Sequence, residues 1–208
     1  MTGDLFDATA TPADERFPFV PYAGPTDPSG PKIALIGEAP GADEARMGVP
    51  FVGRAGQLLD EALRTAGIDR RACLVGNTFR FRPPDNKVAH FFASRARAKK
   101  EGFAVAEAWG PFNAQYVKTA YAGEIEHLRA TLAAFGPRVV VALGGTPLWA
   151  LTGLSGITRE RGRRLENRLL PDVPVVATFH PSFVLRGNRA DLPTLEADLI
   201  LALAVARD

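Results

Sequence analysis

Four short apolar runs punctuate the chain: "KIALIG" (32–37), "CLVGN" (73–77), "RVVVALG" (138–144) and "PVVATFH" (174–180). Continuous rather than alternating apolar character predicts parallel strands buried on both faces. Between the runs the period changes to that of a helix. Ala55, Leu58, Leu59, Ala62, Leu63 and Ala66 fall on one face of 54–66, with Gly67 as the stop. Ile125, Leu128, Leu132 and Phe135 mark a second helix ended by Gly136. "GGTPLWALTG" predicts a third, with Thr146 as N-cap, Pro147 in the first turn and Gly153 at the end. A C-terminal helix is predicted from about Leu192 to Ala206. The alternation predicts an α/β fold: an open four-stranded parallel sheet flanked by helices on both faces.

Two stretches stand outside this pattern. Residues 1–31 carry Pro12, Pro18, Pro21, Pro25, Pro28 and Pro31 without any sustained period. They are expected to form an irregular arm laid on a single domain of residues 32–208. Residues from about 81 to 120 are poor in strand pattern and mix Arg82, Lys87, Arg95, Arg97, Lys99 and Lys100 with Phe81, Phe91, Phe92, Phe103 and Trp109. Structureless loops of that length are uncommon unless functional or mobile, so this is a basic-aromatic insertion of interest.

A chain of 208 residues can bury a sizeable core as one domain. No apolar run approaches the ~20 residues of a membrane helix, and the N-terminus lacks the order of a secretory signal. A cytoplasmic protein without a membrane partner is expected. Cys73 is the one cysteine, which excludes disulfides within the chain and leaves a zinc or iron–sulfur site without its thiolate ligand set. No metal or organic cofactor is expected. The net charge of +2 conceals a bias, because only Lys32, Lys87, Lys99, Lys100 and Lys118 among the 25 basic residues are lysines. Arginine is the cation suited to forked phosphate contacts.

In open parallel sheets the ligand crevice lies beyond the C-terminal strand ends. There the four runs lead into "GEAPGADE", "GNTFRFRPPDNK", "LGG" and "FHPSFVLRGN", which brings Glu38, Asn77 and His180 to one rim. The first loop lacks the dinucleotide spacing G-x-G-x-x-G, Pro40 removes a donor that a pyrophosphate would use, and no P-loop lysine is present. It is either a tight connection with solvated acids or part of a site. His180 in "HPS" is either hydrogen-bonded scaffold or catalyst. Asn77 either caps a turn or offers both a donor and an acceptor to a planar amide edge. Apolar tips beside arginine in "FVLRGN" suit a wedge pushed into a stacked duplex, flanked by phosphate contacts.

The three stretches "GEAPGADEARMGVPFVGRAGQLLDEAL", "NTFRFRPPDNK" and "HPSFVLR" resemble, in this order, the uracil-DNA glycosylase superfamily, in the branch of its family 4 enzymes. The resemblance covers roughly residues 32–87 and 121–206. It implies a three-layer α/β/α fold and a monofunctional glycosylase of base-excision repair. Such an enzyme flips uracil out of DNA and hydrolyses the N-glycosidic bond, leaving an abasic site. By the same resemblance Phe51 stacks on the extruded uracil, the Asn77 amide reads its polar edge, and Glu44 fills the space beside C5. Ala39 and Gly41 belong to the same pocket. His180 faces the base oxygen that gathers charge, and Glu38 and Asn86 order the water near the sugar. Ser182, Val184, Leu185, Arg186 and Arg189 are expected at the DNA, with Val184–Leu185 as the wedge and the arginines on flanking phosphates. Arg95, Arg97, Lys99 and Lys100 of the insertion are expected to join that face.

The departures are specific. Family 4 members hold an iron–sulfur cluster on four cysteines, and here Phe81 stands where the cysteine before "RPP" is expected. Ala39 occupies the position of a water-steering aspartate in another branch. In a further branch a histidine of the insertion captures the sugar covalently, and His90 lies in the corresponding stretch. Followed by "FF", His90 is expected to pack or to contact phosphate, so a monomer that turns over on uracil-containing DNA is the expected protein. The alternatives are a uracil-DNA binding protein that captures the sugar through His90, and a nucleotide-binding α/β protein outside repair.

Overall fold

The computed structural model describes residues 17–187 and 189–208. β1 (Ile33–Gly37) leads through α1 (Ala42–Met47) and α2 (Arg54–Thr65) to β2 (Leu74–Asn77). The insertion then forms β3 (Phe92–Ala93), α3 (Arg95–Glu101) and β4 (Tyr116–Val117). α4 (Thr119–Phe135), β5 (Val139–Leu143), α5 (Gly145–Thr152), α6 (Ile157–Glu160) and β6 (Arg164–Leu165) follow. β7 (Val175–Thr178), α7 (Pro181–Arg186) and α8 (Leu192–Arg207) complete the order.

The four apolar runs form the parallel core of the sheet, but the sheet has five strands, in the order β2-β1-β5-β7-β6. The fifth strand, β6, runs antiparallel to β7 with Leu165 opposite Val175. Two residues, one of them the exposed Arg164, carry no period that a sequence reading can find. Buried on both faces, the parallel strands divide their side chains between two cores. Ala34, Ile36, Val140, Ala142, Val175 and Ala177 face α4 and α5. Ile33, Leu35, Val139, Val141 and Val176 face α2 and α8. This is the physical reason that the runs are continuously apolar.

The insertion of 81–120 packs aromatics on the domain: Phe81, Phe91 and Phe92 are buried in the first core, and β3 pairs with β4. A buried ion pair braces the start of the segment, since Arg80 donates to the Glu124 carboxylate on α4 through Nε (3.0 Å), Nη2 (2.8 Å) and its backbone N–H (3.0 Å). Thr146 is not the N-cap of α5; that position is Gly144, and the threonine hydroxyl serves the site instead.

Of the arm, Pro12 lies outside the described residues, while 17–31 run along the free side of β2. Ala23 and Val75 exchange backbone hydrogen bonds of 2.8 and 2.9 Å, and Val20 N–H donates to Arg80 O at 2.8 Å. Among the described residues no helix is long and apolar enough to cross a membrane.

Candidate active site

β1, β2, β5 and β7 end on one rim, and beyond them opens a cleft of about 410 Å³. The expected convergence is found: Glu38 after β1, Asn77 at the end of β2 and His180 after β7 all line it. Ala39, Gly41, Glu44 and Phe51 form its first-loop wall, and Asn86, Ser182 and Arg186 stand at its other side.

Phe51 is buried and adopts a left-handed backbone, with φ 54°. For a bulky L-residue this conformation costs about 1–3 kcal/mol, so the surroundings must impose it. They do so from two directions. The Glu44 carboxylate accepts from Gly41 N–H (3.1 Å), Val52 N–H (3.2 Å) and Gly53 N–H (3.0 Å). From the other side, Arg70 donates to the carbonyls of Pro50 (2.8 Å) and Phe51 (3.1 Å). Gly56 allows the approach, because a Cβ there would lie 1.8 Å from the Phe51 carbonyl oxygen. At the foot of the cleft Gly37 separates Phe51 from Asn77; its Cβ would meet both side chains at 2.5 Å. Arg70, Gly56 and Gly37 escape a sequence reading because their contribution is space or backbone contact, not reactive chemistry.

Asn77 is buried, and its backbone carbonyl accepts from the Tyr22 hydroxyl at 2.9 Å. Its side-chain amide makes no hydrogen bond to another described residue, which leaves a donor and an acceptor for a ligand. Glu38 is held by the Thr146 hydroxyl, which donates to its Oε2 at 2.5 Å. Burial pushes the Glu38 pKa up; the Thr146 hydrogen bond and the nearby Arg186 oppose that rise. Asn86 is exposed, and its Oδ1 accepts from Arg82 Nε at 2.9 Å.

The state of His180 follows from its neighbours. Ser182 N–H donates to Nδ1 at 3.1 Å, and Ser182 Oγ lies 2.8 Å from the same nitrogen. A backbone amide can only donate, so Nδ1 is an acceptor and the proton of the neutral ring resides on Nε2. Burial, with the Arg186 guanidinium adding to it, pushes the pKa down to about 4. The ring is therefore a neutral donor at physiological pH, 5.9 Å from the Phe51 ring between centroids. Ser182, expected at the DNA, spends its N–H and hydroxyl on this histidine.

The remaining DNA-contact expectations are revised in part. "HPSFVLR" is a helix rather than a loop, and its phase turns Val184 fully into the second core, so Val184 is no wedge. The exposed apolar tip is Phe183, with Leu185 half-buried beside it. Arg186 lines the cleft; Arg189 is bound to the Glu61 carboxylate on α2. On α3, Arg95 pairs with Glu107 beyond the helix at 2.5 Å and Arg97 with Glu101 at 2.9 Å, while Lys99 and Lys100 are exposed. His90 packs edge-on against Phe17, Phe91 and Tyr121, with Nε2 3.2 Å from the Tyr121 hydroxyl, and is not part of the cleft lining.

An iron–sulfur cluster does not fit these residues. Phe81 is buried against Phe19 with 5.6 Å between ring centroids, and Cys73, alone in the chain, lies in the opposite core with its thiol pushed up to about 12 by burial. Among the described residues no group of three or more His, Cys, Asp or Glu is arranged to hold a metal ion.

Comparison with known proteins agrees with the architecture. Residues 23–204 match the model of the uracil DNA glycosylase superfamily. The chain is 35% identical over 163 residues to a type-4 uracil-DNA glycosylase of Thermotoga maritima, covering 77% of this chain and 70% of the relative. It is 32% identical over 160 residues to the type-4 uracil-DNA glycosylase of Pyrobaculum aerophilum, covering 74% and 68%. The protein of the same description from Archaeoglobus fulgidus is 31% identical over 160 residues, covering 74% and 67%. With the strand-end cleft, these matches across most of its length mean that the chain belongs to the uracil-DNA glycosylase superfamily.

Proposed function

We propose that this protein excises uracil from DNA by hydrolysing the N-glycosidic bond, as a base-excision repair enzyme. The observation that carries the mechanism is the fixed tautomer of His180, a neutral donor at the rim shared with Asn77 and Glu38. Departure of the base leaves charge on the pyrimidine oxygens, and a neutral donor already aimed there needs no reorganisation as that charge develops. Asn77 supplies a donor and an acceptor to the base edge, and Phe51 supplies a stacking surface. Flipping the nucleotide costs a few kcal/mol, which these contacts and an apolar tip inserted into the stack offset. Phe183 is the tip that the phase of α7 presents. Lys99, Lys100 and Arg186 are exposed cations available to phosphates. Incubating the protein with a uracil-containing oligonucleotide tests the reading: abasic product supports it, and intact uracil refutes it. A denaturant-stable protein–DNA adduct lost in His90→Ala would instead establish covalent capture.

In this mechanism ionised Glu38 holds the attacking water, so activity falls as pH drops through its raised pKa. Thr146→Val removes a hydrogen bond that lowers that pKa. The acidic limb of the single-turnover pH–rate profile is therefore expected to move to higher pH in Thr146→Val and to return in Thr146→Ser. A limb that stays in place in Thr146→Val removes Glu38 from the water-holding role.

A further inference from the structure

The cleft is built around a strained turn, and one residue outside the cleft grips it. Arg70 opens the short helical turn before β2, nineteen positions beyond Phe51. Its Nη2 donates to Pro50 O at 2.8 Å, and its Nη1 donates to both Phe51 O (3.1 Å) and Asp60 Oδ1 (2.7 Å). Asp60 lies on α2, so the guanidinium ties that helix to the turn that precedes it. A planar fork serves two carbonyls and a carboxylate from two fixed nitrogens, whereas a lysine ammonium would have to serve all three from a single nitrogen.

We propose that Arg70 is a positioning residue for the base-stacking ring of Phe51, holding the Pro50 and Phe51 carbonyls so that the left-handed backbone keeps the ring at the wall of the cleft. The inference rests on the uracil-excision reading. Without the fork, Phe51 relaxes toward an ordinary backbone conformation, and its ring leaves the place between Gly37 and His180. Glu44 still holds the N–H groups of the turn, so the loop stays attached while the carbonyl side is released.

A double-mutant cycle with Phe51→Ala tests the assignment. Arg70→Met is expected to slow single-turnover excision at saturating protein roughly 10–100-fold, the scale of a misplacement of about 1 Å. The same substitution in a Phe51→Ala background is expected to add almost nothing, because the ring it positions is gone. Arg70→Lys should recover only part of the loss. Affinity for DNA carrying a ready-made abasic site, which offers no base to stack on, should stay within a few-fold of the wild type.

Equal losses in both backgrounds, or a full rate in Arg70→Met, would overturn the proposal. So would weaker binding to undamaged and abasic DNA alike, which would make Arg70 a phosphate contact. If Arg70→Met does not fold, as judged by its thermal transition, the cycle is run with Arg70→Lys, and the same coupling decides it. A wild-type protein that leaves uracil in place refutes the parent reading, and this inference with it.

Discussion

His180→Ala is expected to slow single-turnover excision of uracil by about 10²–10³-fold while changing the affinity for uracil-containing DNA little. The size follows from the site. His180 is half-buried and neutral, and its Nδ1 is occupied by Ser182, so Nε2–H is the donor left for the departing base. A preorganised donor of this kind acts on the transition state more than on the bound substrate, so the loss belongs in the rate and not in binding. Its pH behaviour provides a second check. With a pKa held near 4, the ring stays neutral through the physiological range, and protonation of His180 does not limit excision until pH falls toward that value. Near-normal excision by His180→Ala would reduce this histidine to scaffold.

Asn77→Ala is expected to cost as much or more, roughly 10³-fold on uracil excision, with selection between bases lost. Asn77 is buried at the end of β2, its main chain is anchored by Tyr22, and the missing Cβ of Gly37 makes the space that its side-chain amide occupies. An alanine there would leave a hydrogen-bonding base edge facing an unpaired, desolvated wall. The measurement is the single-turnover rate on matched oligonucleotides carrying uracil or thymine. An unchanged preference in the mutant would place recognition elsewhere in the cleft.

The residues proposed for chemical roles were legible in the sequence, because strand ends in an open parallel sheet converge and their positions were readable as apolar runs. Glu38, Asn77 and His180 meet for that reason. Residues whose role is to hold others were not. Glu44 looks like a pocket wall from its motif, yet its carboxylate binds three backbone N–H groups around the Phe51 turn. Ser182 looks like a phosphate contact and is a clamp on His180. Val184, expected at the wedge, is buried and Phe183 is exposed, a phase that a six-residue helix has too little sequence to reveal. The insertion hid its order for a related reason: β3 and β4 are two residues each, and its stability comes from scattered aromatics and from one ion pair with Glu124, 44 positions from Arg80. Spacing along the chain carries no trace of a contact at that range.

The strip of backbone from Phe19 to Ala23 has a consequence for how this protein can be trimmed and stored. β2 is the outermost parallel strand, and its outward N–H and C=O groups are an open template for another chain unless something occupies them. Here Ala23 occupies those of Val75, and Val20 and Pro18 continue the pairing at Arg80 and Arg82. A chain cut back to Lys32 would keep every residue that lines the cleft and all four parallel strands, though not the Tyr22 anchor of Asn77, and would present Leu74–Asn77 as a bare, apolar ribbon. The proline-rich lead-in thus acts as a guard against self-association, and a shortened version is expected to precipitate before it loses its catalytic groups.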